Sequence, residues 1–161
     1  MNKAYLLTGG NLGDREQNLR QAITELDGNG VKVIAASALY ETAAWGREDQ
    51  PAFLNQALLV ETSLAAQPLL DLLLAAESRI GRVRDERYGP RLIDIDILLF
   101  GPEIISTPTL RVPHPELAGR RFALVPLAEI AGNIIHPVLG KTVSNLLEEC
   151  NDPLPVFKYQ F

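Results

Sequence analysis

Two aspartates one residue apart, Asp94 and Asp96, stand in the run Leu92-Ile93-Asp94-Ile95-Asp96-Ile97-Leu98-Leu99-Phe100. Strict alternation is the pattern of a strand with two unlike faces. Both carboxylates therefore lie on one face, roughly 6.5–7 Å apart along the strand, while Ile93, Ile95 and Ile97 point into a core. Aspartate disfavours strands, and like charges side by side repel. A divalent cation offsets both costs, and Mg²⁺ takes carboxylate oxygens. A pair of such ions, about 3.5–4 Å apart, would clamp a phosphoryl group during displacement. Just upstream, Arg79, Arg82, Arg84, Arg87 and Arg91 form a basic patch that closes on Gly89-Pro90. Guanidinium groups bind phosphate oxygens bidentately. Carboxylates for metal beside arginines for phosphate describe phosphoryl transfer. A solvated outer strand face, with Arg87 or Arg91 in a salt bridge, accounts for the same residues about equally well.

The elements that must position these groups follow from periodicity. Ala4–Thr8 reads as a buried strand, and Gly9-Gly10-Asn11-Leu12-Gly13 as a tight turn. That loop lacks the Gly-Lys-Ser/Thr ending of a P-loop and is not Gly-x-Gly-x-x-Gly, so it is a weak phosphate signal. Residues 14–27 form an amphipathic helix, with Asp14 as N-cap and Gln17 completing a capping box. Val31–Tyr40 and Phe53–Thr62 are strands. Between them lies a polar loop with Trp45, the only tryptophan, which is either a plug over the core or a lid. Phe53, Asn55, Ala57 and Leu59 share a strand face, where Asn55 either bonds backbone or reads a ligand's polar edge. A second helix, with Pro68 in its first turn, carries Leu69, Leu73, Ala76 and Glu77 to the cap Gly81. Residues 82–91 form a loop before the aspartate strand. Leu110–Pro115 is extended, and its two prolines pin His114. Glu116–Ala131 is a helix, a weaker one runs from the cap Thr142 to Cys150, and the tail 151–161 wraps the surface.

The order β-α-β-β-α-β predicts an α+β, ferredoxin-like fold. It has a mainly antiparallel sheet, flanking helices on one face and additional C-terminal helices. The chain of 161 residues is expected to be one domain, 1–161. Net charge −5 and pI about 5.0 argue against a general nucleic-acid binder. No apolar run reaches a membrane span. The single cysteine, Cys150, excludes an internal disulfide and a cysteine-based zinc site, in keeping with a reducing cytoplasm. A ferredoxin-like module that binds RNA on its open sheet face is the rival from another class. Against it, that face carries Asp94 and Asp96 and lacks the aromatic pattern of RNA-binding sheets.

Arg87-Tyr88-Gly89-Pro90-Arg91-Leu92-Ile93-Asp94-Ile95-Asp96-Ile97-Leu98 resembles the signature of the 6-hydroxymethyl-7,8-dihydropterin pyrophosphokinase family. So do Gly9–Gly13, Tyr40-Glu41-Thr42, Asp49-Gln50-Pro51, Phe53-Leu54-Asn55, Gly81–Arg84 and Val112-Pro113-His114. The resemblance implies transfer of pyrophosphate from ATP to the pterin's hydroxymethyl group in folate biosynthesis, with two Mg²⁺ ions held by Asp94 and Asp96. It implies catalytic roles for Arg82, Arg91, Asp94 and Asp96. It implies nucleotide contacts from Glu77, Arg82, Arg84, Tyr88, Arg91, Ile97, Leu110, Arg111, His114 and Arg120. The pterin would meet Thr42, Ala43, Ala44, Trp45, Phe53, Asn55 and Phe122. The chain departs from the pattern at Leu74, Asp85, Tyr88 and Pro115. A cytoplasmic monomer is expected, with ATP and the pterin as its small-molecule partners and without nucleic acid or membrane. Loops 42–52 and 82–91 are expected to close over the substrates, which Trp45 fluorescence would report as a response to nucleotide plus pterin.

Overall fold

The computed structural model describes residues 1–43, 50–81 and 92–160. An antiparallel sheet is built on β1 (Asn2–Gly10). On one side of it lies β5 (Asp94–Phe100), and on the other β4 (Phe53–Thr62). Beyond β4 lie β2 (Val31–Ala36) and β3 (Tyr40–Thr42), and β8 (Val156–Lys158) joins β3. Helix α1 (Arg15–Leu26) connects β1 to β2, and α2 (Ala66–Ile80) connects β4 to β5. The ferredoxin-like interleaving is thus present. A small hairpin, β6 (Ile105–Ser106) with β7 (Arg111–Val112), precedes α3 (Arg121–Ala131) and α4 (Val143–Glu149).

Helix ends follow local chemistry. Asp14 Oδ1 accepts the Gln17 N–H at 3.1 Å, capping α1. Gly81 closes α2 at φ 109°, a left-handed conformation that glycine adopts without penalty. Helices α1 and α2 pack Leu19, Leu26, Leu69 and Leu73 against Ala4, Leu6, Leu54, Leu58, Ile95 and Ile97. Helices α3 and α4 pack Leu124, Leu127 and Leu146 against Tyr5, Leu7 and Leu99 on the opposite face. Each fully buried leucine contributes about 1.5–3 kcal/mol, so the two cores hold the sheet from both sides. The expectation of helices on one face and an open second face is corrected here. The C-terminal helices cover part of that second face.

Three boundaries differ from the pattern in the sequence. Val31–Tyr40 is two strands, because Ser37 interrupts the ladder. The Ser37 N–H donates to Ala57 O and the Ala57 N–H donates to Ser37 Oγ, both at 2.9 Å, so a hydroxyl stands in for a backbone carbonyl. The helix expected from Glu116 is a 3-10 turn, Leu117–Gly119, followed by α3. The tail does more than wrap the surface, since Val156–Lys158 extends the sheet. A bulge opposite Tyr5 and Leu6 leaves Leu98 without a strand partner, with Tyr5 paired to Leu99 and Leu6 to Ile97. Simple alternation would place Leu99 beside Ile97, yet it packs with Tyr5 in the opposite core. Among the described residues, no helix is long and apolar enough to cross a membrane.

Between α3 and α4 the buried His136 accepts the N–H groups of Val138 and Leu139 on Nδ1, at 3.2 and 3.1 Å. Burial pushes its pKa below the ordinary value. Its contribution is therefore complete above the unfolded-state value, about 6.5, and is lost as pH falls through and below it. Urea titrations at pH 7.5 and 5 should show lower stability at pH 5, with a smaller drop in H136A. Ser37→Ala should cost about 1–3 kcal/mol in the same assay, because the buried Ala57 amide loses the hydroxyl that accepts its proton.

Candidate active site

The site lies where β5 begins, β1 ends and β4 begins. Cross-strand register sets Asp94 opposite Gly9, Gly9 opposite Asn55, and Asn55 opposite Tyr40. Directly paired residues share a face, so these four form one row across the sheet. Asp96 lies two residues along β5, opposite Leu7, on the same face. Ile93, Ile95 and Ile97 are buried on the other side, as the alternation predicts.

Edge strand β5 needs partners for its outer backbone groups. Glu77, 2% exposed on α2, accepts the Ile95 N–H at 2.7 Å. The His114 N–H donates to Leu98 O at 2.9 Å. The backbone between the two aspartates is thereby held from outside. Glu77 acts at this edge, beneath the carboxylate face.

Asn55 is 5% exposed, and among the described residues its side-chain amide has no hydrogen-bond partner. Burying an amide unpaired costs on the order of 1–3 kcal/mol. Its orientation depends on Gly9, where a Cβ would lie 2.1 Å from Asn55 Oδ1. Phe53 is two residues along the same face and pairs with Thr42. The Thr42 hydroxyl donates to Pro155 O at 3.0 Å, so it binds the tail. Ala43 is exposed. The loop after β1 serves as a turn and an anchor, with Asn11 Nδ2 donating to Pro51 O at 3.0 Å and to Gln50.

His114 accepts the Glu116 N–H on Nδ1 at 3.2 Å, which leaves Nε2 to carry the proton and donate. Burial lowers its pKa most; Asp96 pulls it back up, Arg120 lowers it and Glu116 raises it, with a net fall. Arg120 pairs with Glu116 and lies 5.6 Å over the Phe122 ring. The next residue, Arg121, is structural. It donates through Nε to Asp152 O and through a terminal nitrogen to Cys150 O, while its N–H donates to Asp152 Oδ2. Asp152 caps α3 from the tail and so fixes the turn bearing Arg120 and Phe122.

Other expected contacts stand apart from this row. Ile97 and Leu110 are buried in the core of α1 and α2, and Arg111 is exposed. Ala44, Trp45, Arg82, Arg84, Tyr88 and Arg91 lie outside the described residues. No group of three or more His, Cys, Asp and Glu side chains converges to hold a metal among the described residues. Two carboxylates on one face fit Mg²⁺, which usually binds one or two carboxylates and completes its shell with water and substrate phosphates.

The family model for 7,8-dihydro-6-hydroxymethylpterin-pyrophosphokinase matches residues 5–132, which include every described residue of this site from Gly9 to Phe122. The chain belongs to this pyrophosphokinase family. It is 48% identical over 134 residues to the 2-amino-4-hydroxy-6-hydroxymethyldihydropteridine pyrophosphokinase of Bacillus subtilis, covering 83% of this chain and 80% of that one. It is 43% identical to the protein of the same name from Methylorubrum extorquens, covering 91% and 92%. It is 40% identical to the folic acid synthesis protein fol1 of Pneumocystis carinii, covering 92% of this chain but 20% of that protein. Solved Plasmodium falciparum HPPK-DHPS shares the fold at a TM-score of 0.71 and 16% identity, covering 92% of this chain and 41% of that one. The chain thus spans less than half the length of these last two.

Sequence reasoning singled out Asp94, Asp96, Asn55 and His114. It missed Asp152, whose only local signal is an acid before a proline, and the Tyr40 pairing with Asn55, which depends on strand register. Replacing Gly9 by alanine should move the Asn55 amide and destabilise the protein by about 1–3 kcal/mol, the scale of overpacking. A displaced Asn55 side-chain amide signal in NMR, with a lowered urea midpoint, checks this.

Proposed function

We propose that this pyrophosphokinase-family chain, as a single catalytic domain, transfers the terminal pyrophosphate of ATP to the hydroxymethyl group of 6-hydroxymethyl-7,8-dihydropterin. The products are AMP and the pterin diphosphate, an intermediate of folate biosynthesis. The observation that carries the reading is the row in which a buried amide, without a partner among the described residues, and a carboxylate pair share one face. Asn55 and Asp94 stand two strands apart, about 9–10 Å. A flat two-ring heterocycle fits that span, with its polar edge on the amide and its hydroxymethyl toward the carboxylates.

Each side chain then has a task. Asn55 pairs with the pterin's donor and acceptor edge, and Phe53 and Phe122 offer aromatic faces. Asp94 and Asp96 would hold two Mg²⁺ ions, which when bound would neutralise phosphate charge and orient the reacting oxygens. His114 Nε2–H and the Arg120 guanidinium are donors for phosphate oxygens, joined by resemblance by Arg82, Arg84 and Arg91. The hydroxyl oxygen attacks the β-phosphorus, the bond from that phosphorus to the α,β-bridging oxygen breaks, and AMP leaves with that oxygen. Asp96 is the acceptor we assign for the hydroxyl proton. The enzyme acts as a cytoplasmic monomer on these small molecules.

The test is product analysis with ATP, Mg²⁺ and the pterin. AMP should form only when the pterin is present. ADP or free phosphate would instead indicate a phosphotransferase or phosphohydrolase with another acceptor. Asp94→Ala and Asp96→Ala should each lower turnover at least roughly a thousandfold, the scale of a lost electrostatic contact at the reacting centre. Their melting temperatures should stay close to the parent's, since both side chains lie outside the cores. Near-normal turnover with Mg²⁺ in either variant would refute the two-metal assignment.

A further inference from the structure

We propose that Tyr40, held at its tip by Glu129, is a positioning residue that keeps the Asn55 amide available to the polar edge of the pterin; this rests on the pterin-binding reading of Asn55. Asn55 has two lateral neighbours in the sheet. One is Gly9 and the other is Tyr40. Residues in such register have Cβ atoms about 4.5–5.5 Å apart. On the Gly9 side there is no side chain, and the Asn55 carbonyl oxygen fills that space, 2.1 Å from where a Cβ would be. On the other side stands a tyrosine. An amide with an open neighbour and a bulky one has one lateral direction to lean, toward Gly9 and Asp94.

Tyr40 is itself fixed at both ends. Its base belongs to the β3–β4 ladder. Its hydroxyl donates to Glu129 Oε1 at 2.5 Å, and Glu129 Oε2 accepts the Ala38 N–H at 3.0 Å. Glu129 lies seven residues after Phe122 on α3, two turns along, so both occupy the same helix face. The helix that presents Phe122 therefore also holds Tyr40. The phenolic proton matters as much as the ring. A free tyrosine hydroxyl beside Asn55 could donate to its carbonyl and occupy it. Here the proton is directed to Glu129. Burial first, then the hydrogen bond and charge of Glu129, push the phenol's pKa up to about 12, so the group remains a donor to Glu129 at neutral pH. Among the described residues nothing else engages the Asn55 acceptor or donors, which are thereby kept for a ligand.

The test uses Y40F, which keeps the ring, together with E129Q and Y40A. In ligand-free protein, the side-chain amide resonances of Asn55 should shift in Y40F and shift or broaden in Y40A. In turnover, KM for the pterin should rise about threefold in Y40F and E129Q and about tenfold or more in Y40A, with KM for ATP within about twofold. A merely structural role would raise both KM values together or lower the melting temperature without a split. Either that outcome, or unchanged Asn55 resonances and pterin KM, would overturn the proposal. If the parent enzyme forms no AMP with the pterin, the functional reading fails, and the ligand-free resonances still decide the positioning claim.

Discussion

A polar group buried inside a protein is costly unless paired, and this sheet buries an amide beside two carboxylates. The Asn55 amide is buried, without a partner among the described residues, in the row that joins Asp94, Gly9 and Tyr40. Most of the remaining architecture can be understood as what makes that row stable. The α1 and α2 core grips β5 from one face through Ile95 and Ile97. Glu77 and the His114 backbone occupy the outer edge of β5. The aspartates are thus carried by a strand that is fixed on its inner face and along both edges, while their own face is left for charge. Rigid support for groups that repel one another makes a preorganised binding site more economical than a mobile one, because less ordering remains to be done when ligand arrives.

The opposite wall is built by distant parts of the chain. Helix α3 starts at Arg121 without a side-chain cap from its own N-cap residue, Arg120. Asp152 supplies the missing acceptor, more than a helix length away in sequence, and Arg121 answers with bonds to the tail's carbonyls. The first turn of α3 is therefore ordered by the C-terminal tail. The same tail accepts the Thr42 hydroxyl and adds β8 to β3. A strap of this kind couples β3 to the start of α3, where Arg120 and Phe122 stand. It lies beyond residue 132, where the family match ends.

A phosphate-bound Mg²⁺ requires little protein, and two carboxylates on one face are enough to fit it. A structural metal would need a nearly complete cage of side chains. An ion that travels with a nucleotide takes much of its shell from phosphate and water. The described residues offer no cluster of three or more ligating side chains, and none is needed for that chemistry. The longer relatives place the matching region within proteins several times its length in one case and more than twice its length in another. The fold thus occurs both alone at nearly full length among bacterial relatives and inside larger chains.

By itself, the sequence determined which residues face which way along each element. Period-two alternation separates Asp94 and Asp96 from Ile95 and Ile97 through backbone geometry alone, and the helix caps Asp14, Gly81 and Thr142 are likewise local. The ferredoxin-like order was legible for the same reason. Tertiary structure decided everything that depends on register between distant strands. No local pattern states that Gly9 lies between Asp94 and Asn55, that Ser37 replaces a carbonyl in the ladder, or that a bulge sends Leu99 to the other core. Nor could it show that Tyr40 ends on Glu129 or that Asp152 caps α3. A side chain's direction is set by its own φ and ψ; its neighbour across the sheet is set by how the whole chain minimises unpaired backbone and exposed apolar surface.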